Sequence, residues 1–190
     1  MTTKDEIVNL ADNLIRDKGY NGFSFKDISK SIGIKTSSIH YYFPFKSDLG
    51  VSVIKEQIKH FDKFKNDLAD KSPKEKLEGF FQIYSQIKSD NKVCLVGSLA
   101  TDFNTIEGNV KAELKKFAEQ VLNWVTQFAR ENSLKFVRMD TWADNLKIIE
   151  YYKSFGFQFI ENYQTTNAVE LPIQNRNLNV ALLQLELKDN

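Results

Sequence analysis

The feature that most constrains this chain is a single glycine between two short segments of helical periodicity. Apolar side chains recur at helical spacing in residues 24–32, behind a serine suited to an N-cap, and Gly33 follows where a helix ends. A second segment, residues 35–43, ends at Pro44, which cannot continue a helix. The sequence therefore predicts two short helices joined by a tight glycine turn.

Positive charge is concentrated around this pair of helices. Residues 24–46 contain four lysines and a single acidic residue, Asp27, a local net charge of +3, whereas the whole chain carries +1. Residues 3–18 add a first helix with one apolar stripe. Three helices with a local basic patch on a nearly neutral chain predict a helix-turn-helix domain that binds duplex DNA, over residues 1–46.

The second helix of the pair carries the candidate contacts to DNA. It has to hide Ile39 and Phe43 while it exposes short polar side chains to base edges. The base-reading candidates are Lys35, Thr36, Ser37 and Ser38. Hydroxyl and ammonium groups around them are suited to phosphate oxygens, which fix register and carry no sequence information. The phosphate candidates are Ser24, Lys26, Tyr41, Tyr42 and Lys46.

Residues 23–34, FSFKDISKSIGI, and 38–49, SIHYYFPFKSDL, resemble the TetR/AcrR family of transcriptional regulators, and the resemblance extends over about residues 3–130. It implies a repressor that binds a palindromic operator as a homodimer and leaves it when a small apolar effector binds. Ser29, His40 and Phe45 stand where the family usually has an alanine, a tyrosine and a small polar residue. The base preference of relatives is therefore not carried over to this chain.

The helical region at residues 47–132 is the ligand-binding and regulatory part that the resemblance implies. Its aromatic side chains can line an apolar effector pocket or form an ordinary core, and the sequence leaves both open. Cys94 resembles a cysteine with which some relatives sense oxidants, but Lys92 is the only basic residue close to it in sequence, which favours an inert thiol. The effector-pocket candidates are Phe81, Tyr84, Cys94, Phe117, Trp124 and Phe128.

From residue 133 the pattern changes to a strand, a helix and two further strands. Residues 136–145, FVRMDTWADN, and 151–157, YYKSFGF, resemble the last third of a GNAT N-acetyltransferase, which implies a coenzyme-side position for Asn145 and a proton donor at Tyr152. The glycine-rich pyrophosphate loop of that family has no match upstream, so we expect no catalysis. We expect residues 133–190 to replace the dimerisation helices of the TetR family by pairing an open strand edge with another copy.

The predicted fold class is mainly α: a helix-turn-helix domain, a helical regulatory domain and a β-α-β-β segment. One cysteine, an amino end without signal-peptide character and no apolar stretch of roughly 20 residues indicate a cytoplasmic protein that contacts no membrane. No cofactor or metal is expected. Two other functions stay open: an acetyl-CoA-dependent N-acetyltransferase fused to a DNA-binding anchor, and a DNA-binding protein with a purely structural tail.

Overall fold

The computed structural model describes residues 2–89, 94–169, 171 and 176–187, with the backbone alone at residues 84 and 86–89. The described part is mainly helical and includes a sheet of three strands, which confirms the predicted mainly α class. The helices are α1 (Thr3–Lys18), α2 (Phe25–Ile32), α3 (Thr36–Tyr42), α4 (Lys46–Asp67), α5 (Pro73–Ser89), α6 (Leu95–Thr101), α7 (Gly108–Glu131) and α8 (Leu146–Lys153), and the strands are β1 (Phe136–Trp142), β2 (Gln158–Gln164) and β3 (Asn179–Glu186).

The chain forms two compact units, Met1–Val121 and Leu122–Asn190, and α7 contributes residues to both. The sequence predicts a boundary between a helical region and a strand-containing region at residue 133, after α7, because helical periodicity continues through that helix. The three predicted domains, residues 1–46, 47–132 and 133–190, stay predictions.

The core of the first unit forms around the apolar stripe of α1. Ile7, Ala11 and Ile15 recur every four residues on that helix and are completely buried. Ile28 of α2 and Ile39 of α3 belong to the same cluster, so the two short helices are attached through their apolar sides. The cluster also contains buried residues of the later helices: Leu49, Val53 and Ile54 of α4, Leu95 and Leu99 of α6, and Val110 and Leu114 of α7.

Gly33 makes the turn between α2 and α3 in the left-handed conformation, with φ 70° and ψ 26°. Its N–H and that of Ile34 both donate to the carbonyl of Ser29, which closes the end of α2. A Cβ at this position would meet nothing within 4 Å. The position therefore favours glycine for its backbone conformation alone.

The second unit is an antiparallel sheet with α8 packed on one face. The strand order is β1-β3-β2, so the last strand lies between the other two. Ile149 and Tyr152 of α8 pack with Ala181 and Leu183 of β3 and with Phe157. Alternation along β1 places Val137 and Met139 toward this core, which explains why the segment reads as a strand of period two.

No helix in the ranges that the structure describes is both long and apolar enough to cross a membrane.

We expect the substitution Gly33→Ala to lower the free energy of unfolding by about 1 kcal/mol, because a Cβ is disfavoured in the left-handed region. The measurement is urea denaturation followed by circular dichroism. The matched control is Gly108→Ala at the start of α7, where a Cβ also meets nothing and φ is not positive. This control is expected to be neutral or slightly stabilising. Equal stability of Gly33→Ala and the unsubstituted protein would contradict the strain argument.

Candidate nucleic-acid interface

α3 is held firmly against α2. Ile28 and Ile39 are both fully buried between these helices and α1. At the rim, the Thr36 hydroxyl donates to Ser29 Oγ at 3.2 Å, and the rings of Phe25 and His40 meet edge to face with centroids 4.9 Å apart. The other side of α3 is consequently presented to solvent in a fixed orientation, as insertion into a groove of DNA requires.

The four base-reading candidates differ in exposure. Lys35, which precedes the first turn of α3, and Ser37 are exposed, whereas Thr36 and Ser38 are half-buried. Because the Thr36 hydroxyl is engaged with Ser29, its oxygen serves the packing of the two helices in this structure. Lys35 and Ser37 are therefore the candidates that the structure leaves most accessible.

Sequence reasoning did not include His40 among the candidate residues. Its side chain is exposed, and it lies three residues after Ser37 on the same helix, hence on the same face. Its Nδ1 lies 3.2 Å from the carbonyl oxygen of Pro44, and a hydrogen bond between these two atoms requires the proton on Nδ1, because a carbonyl oxygen can only accept. The spacing of three residues from Ser37 is the sequence signal that could have identified this position.

The two tyrosines proposed to contact phosphate lie at the end of α3. Tyr41 is 82% exposed and Tyr42 38% exposed, and their rings meet edge to face at 5.1 Å. Phe45, 71% exposed in the loop before α4, adds an apolar ring on the surface. An exposed aromatic pair beside the proposed reading face is suited to a phosphate backbone, since a phenolic O–H can donate to a phosphate oxygen.

Ser24 and Lys26 lie at the start of α2. The carboxylate of Asp27 accepts from both the Ser24 hydroxyl, at 2.6 Å, and the Ser24 N–H, at 2.7 Å. These hydrogen bonds hold the pKa of Asp27 below its ordinary value. Ser24 thus begins α2, and its hydroxyl would have to leave Asp27 to donate to a phosphate, whereas the exposed Lys26 is already accessible.

Lys46 points into the protein. Its ammonium donates to the carbonyl of Phe23 and lies over the rings of Tyr20 and Phe23, 4.8 and 4.2 Å from their centroids. Burial lowers the pKa of Lys46, and the carboxylates of Glu107 and Asp102 partly oppose that shift. The phosphate contact predicted for Lys46 would require this ammonium to leave the two rings.

A set of hydrogen bonds joins the loop between α1 and α2 to the loop between α6 and α7. The Tyr20 hydroxyl donates to Glu107 Oε2 at 2.8 Å, and Asn21 Nδ2 donates to Asp102 Oδ1 at 3.1 Å and to Thr105 Oγ1 at 2.7 Å. Burial and the Glu107 carboxylate raise the pKa of Tyr20 well above its ordinary value, so the phenol stays protonated. We call these five residues the polar junction.

Within the first unit, Phe117 of α7 lies against Phe61 of α4, with ring centroids 6.2 Å apart, and Phe61 stacks on Phe64. Phe81 of α5 is 57% exposed. The ring of Phe64 also lies 6.3 Å from that of Phe80 of α5, and we call Phe61, Phe64, Phe80 and Phe117 the aromatic cluster. Of these four residues, only Phe117 was a candidate from the sequence. The side chain of Tyr84 lies outside the described residues.

The other effector candidates have local roles. The sulfur of Cys94 accepts from the N–H of Gly97 at 3.2 Å and so caps α6. Trp124 and Phe128 stack on each other in the second unit, with centroids 5.7 Å apart. In the described ranges, no group of three or more histidine, cysteine, aspartate or glutamate side chains could hold a metal ion.

Comparisons with known proteins agree with this geometry. Residues 7–52 match the family model described as bacterial regulatory proteins, tetR family. A TetR transcriptional regulator of known structure from Legionella pneumophila is 36% identical, with 81% of each chain covered and a TM-score of 0.67. The negative regulator IcaR of the icaADBC biofilm operon of Staphylococcus aureus (strain Newman) is 25% identical over 140 residues, 72% of this chain and 75% of that one.

A TetR-family regulator from Agrobacterium tumefaciens, 24% identical over 80% of this chain and 81% of that one, has the same fold, with a TM-score of 0.64. The fold, the basic helix pair and these likenesses define a DNA-binding transcriptional regulator of the helix-turn-helix type, similar to the negative regulator IcaR. The chain belongs to the TetR family.

We expect Lys46→Ala to lower the free energy of unfolding by about 1–2 kcal/mol, because it removes a charged hydrogen bond and two cation–π contacts. Lys26→Ala, at an exposed position of the same helical domain, is the matched control and is expected to change stability by less than about 0.5 kcal/mol. Urea denaturation of both variants checks this. Unchanged stability of Lys46→Ala, with weakened DNA binding, would instead favour the phosphate contact.

Proposed function

We propose that this regulator represses by binding a near-palindromic operator as a homodimer, with α3 of each copy in the major groove. The observation that carries the proposal is the solvent-facing side of α3, where Lys35, Ser37, His40 and Tyr41 are exposed on a helix fixed by buried Ile39. A two-fold dimer on duplex DNA requires half-sites about 34–36 Å apart, so the operator is expected to be an inverted repeat.

Base contacts and phosphate contacts have separate roles in this proposal. Lys35, Thr36, Ser37 and Ser38 at the start of α3 read base edges, with Lys35 and Ser37 the most exposed of the four. Phosphate contacts fix the register of α3, and their donors are Ser24, Lys26, Tyr41, Tyr42 and Lys46. The exposed Lys26 and Tyr41 need no rearrangement to make them.

Selection of bound duplexes from a random pool tests the operator proposal. The full chain is expected to enrich an inverted repeat, and Ser37→Ala to relax the preference at one position of each half-site. Ser31→Ala on α2, which also removes an exposed serine hydroxyl, is the matched control and should leave the preference unchanged. Lys26→Ala should weaken binding to all sequences alike. It should also reduce the slope of log affinity against log salt concentration by about 1, which corresponds to the loss of one phosphate contact.

The proposal fails if no duplex is enriched, or if binding to the enriched duplex does not weaken as salt rises. An enriched site without internal symmetry would refute the dimeric mode alone. A Ser37→Ala variant with the same preference as the unsubstituted protein would remove Ser37 from the base-reading set.

We also propose that a small apolar effector releases the protein from its operator. Support comes from the aromatic cluster of Phe61, Phe64, Phe80 and Phe117, which lies on α4, α5 and α7 and offers an apolar environment. The polar junction ties the loop that precedes α2 to the loop that precedes α7. A ligand that moves α7 would therefore act on the position of the helix pair.

If the polar junction transmits a movement of α7 to the helix pair, a substitution in the junction should alter operator affinity although the junction does not contact DNA. We expect Asp102→Ala, which removes two acceptors for Asn21, to weaken binding to the selected operator about 5-fold. Glu78→Ala, an exposed acidic residue on α5, serves as the control and should bind normally. Fluorescence anisotropy with the selected duplex gives both affinities, and equal values would argue against the junction as the coupling element.

We propose that residues 133–190 are a half-domain similar to the last third of a GNAT acetyltransferase, retained for structure. The order of β1, α8, β2 and β3 supports this. The coenzyme-side residue and the proton donor that the resemblance implies have structural roles here. Asn145 Oδ1 accepts from the Ile148 N–H and caps α8, and Tyr152 is buried against Phe157. Both contacts favour a structural tail over an acetyltransferase.

A further inference from the structure

β1 is one edge of the sheet. It pairs with β3 along its whole length, from Phe136 opposite Glu186 to Trp142 opposite Val180, without a register shift. Among the described residues no other strand lies on its second side. It contains no proline, no lysine and no bulge, three features that commonly protect an edge from pairing.

The side chains of β1 alternate between the α8 side and an exposed face. Val137 and Met139 are half-buried against the second core, while Phe136, Arg138, Asp140 and Trp142 lie on the exposed face. Phe136 and Trp142 are 40% and 36% exposed, which are large exposed fractions for aromatic side chains. The exposed face therefore has an aromatic ring at each end of the strand and two opposite charges between them.

This pattern is complementary to itself when the strand is reversed. An antiparallel copy centred on Met139 places Arg138 opposite Asp140 of the second copy, and Phe136 opposite Trp142 of the second copy. Two-fold symmetry produces each of these pairs twice. Opposite charges and aromatic pairs that face each other across strands stabilise antiparallel pairing, whereas like charges oppose it.

We propose that β1 is the dimerisation surface: it pairs antiparallel with β1 of a second copy about a two-fold axis at Met139, and so joins two three-stranded sheets into one of six strands. The inference rests on the proposed dimeric operator binding and deepens it by naming the surface and the register.

Hydrogen bonds within the sheet hold Arg138 and Asp140 in position for this contact. Arg138 Nε donates to Gln184 Oε1 at 2.8 Å, a bond that does not use the two Nη groups of the guanidinium. Asp140 Oδ2 accepts from the Tyr163 hydroxyl at 3.2 Å, a bond that does not use Oδ1. Each side chain is thus held on the exposed face by β3 or β2 while it keeps hydrogen-bonding groups for a partner of opposite charge.

The other edge of the sheet is unsuited to the same contact. The pairing of β2 with β3 shifts register between Phe159 and Glu161, and such a bulge disrupts a straight edge. A symmetric pairing about the midpoint of β2 would set Glu161 opposite its own copy, two carboxylates face to face. A β1-to-β2 contact between copies would not close and would lead to chains of molecules.

Charge reversal with mixing tests the proposal on the full chain. Sedimentation velocity at protein concentrations of about 1 to 100 µM covers dissociation constants on the order of micromolar. In this range the unsubstituted protein is expected to be a dimer. Arg138→Asp alone and Asp140→Arg alone each place like charges opposite one another, and each should weaken dimerisation about 10-fold or more. An equimolar mixture of the two variants restores both opposite-charge pairs and should dimerise nearly as the unsubstituted protein does.

The mixture separates pairing from folding, because a variant that is merely damaged is not rescued by another one. Arg130→Asp, an exposed charge reversal on α7, is the control and should leave dimerisation unchanged. Circular dichroism of each variant reports its fold. A monomeric unsubstituted protein over this range, single variants that dimerise normally, or a mixture no better than its components would each overturn the proposal.

Cysteine pairs test the register. In a Cys94→Ser background, a mixture of Arg138→Cys and Asp140→Cys chains should form a disulfide-linked dimer under glutathione disulfide, because directly opposite positions lie within disulfide reach. Each variant by itself should not form this disulfide, because the two cysteines of a homodimer lie at diagonal positions rather than directly opposite each other. Cross-linking of the single variants, or none in the mixture, would refute the register centred on Met139.

The operator assays distinguish this inference from the proposed function. A protein that enriches an inverted repeat and dimerises, but is insensitive to changes at Arg138 and Asp140, keeps the dimeric function and loses only this surface. A protein that enriches an asymmetric site and stays monomeric loses both.

Discussion

The DNA-binding unit depends on the burial of Ile28 and Ile39 across a left-handed turn at Gly33. The apolar contact fixes the angle between α2 and α3, and the glycine allows the chain to change direction without strain. Because that side of α3 is buried, its polar side chains are left on a surface of defined orientation. Base recognition requires this rigidity, since a helix that pivots cannot keep donors and acceptors aligned with base edges.

The same unit is tied to the helices behind it by polar contacts. Lys46 is held by the Phe23 carbonyl and two rings, and the polar junction joins Tyr20 and Asn21 to the α6–α7 loop. Directional hydrogen bonds of this kind have a narrower geometric optimum than apolar packing. A displacement of α7 is therefore expected to change the position of the helix pair, and this coupling is a physical route for regulation in a protein of this family.

The second unit differs in character because it ends in a sheet with a regular edge. Edge strands expose backbone groups that water or another strand must satisfy. β1 combines such an edge with a charge and aromatic order that is complementary to its own reverse, whereas β2 has a bulge and a central glutamate. The sheet thus offers one edge that favours association and one that resists it.

The sequence by itself determined the helix pair, its glycine, the basic segment and the strand character of the tail, because caps, turns and periodicity act over a few residues. Only the tertiary structure decided where the polar side chains point. Lys46 turns inward to Phe23, the Thr36 hydroxyl reaches Ser29, and Asn21 finds Asp102 at a distance of 81 residues along the chain. The place of β3 between β1 and β2, which makes β1 an edge, likewise depends on contacts between segments far apart in sequence, and local patterns carry no information about those contacts.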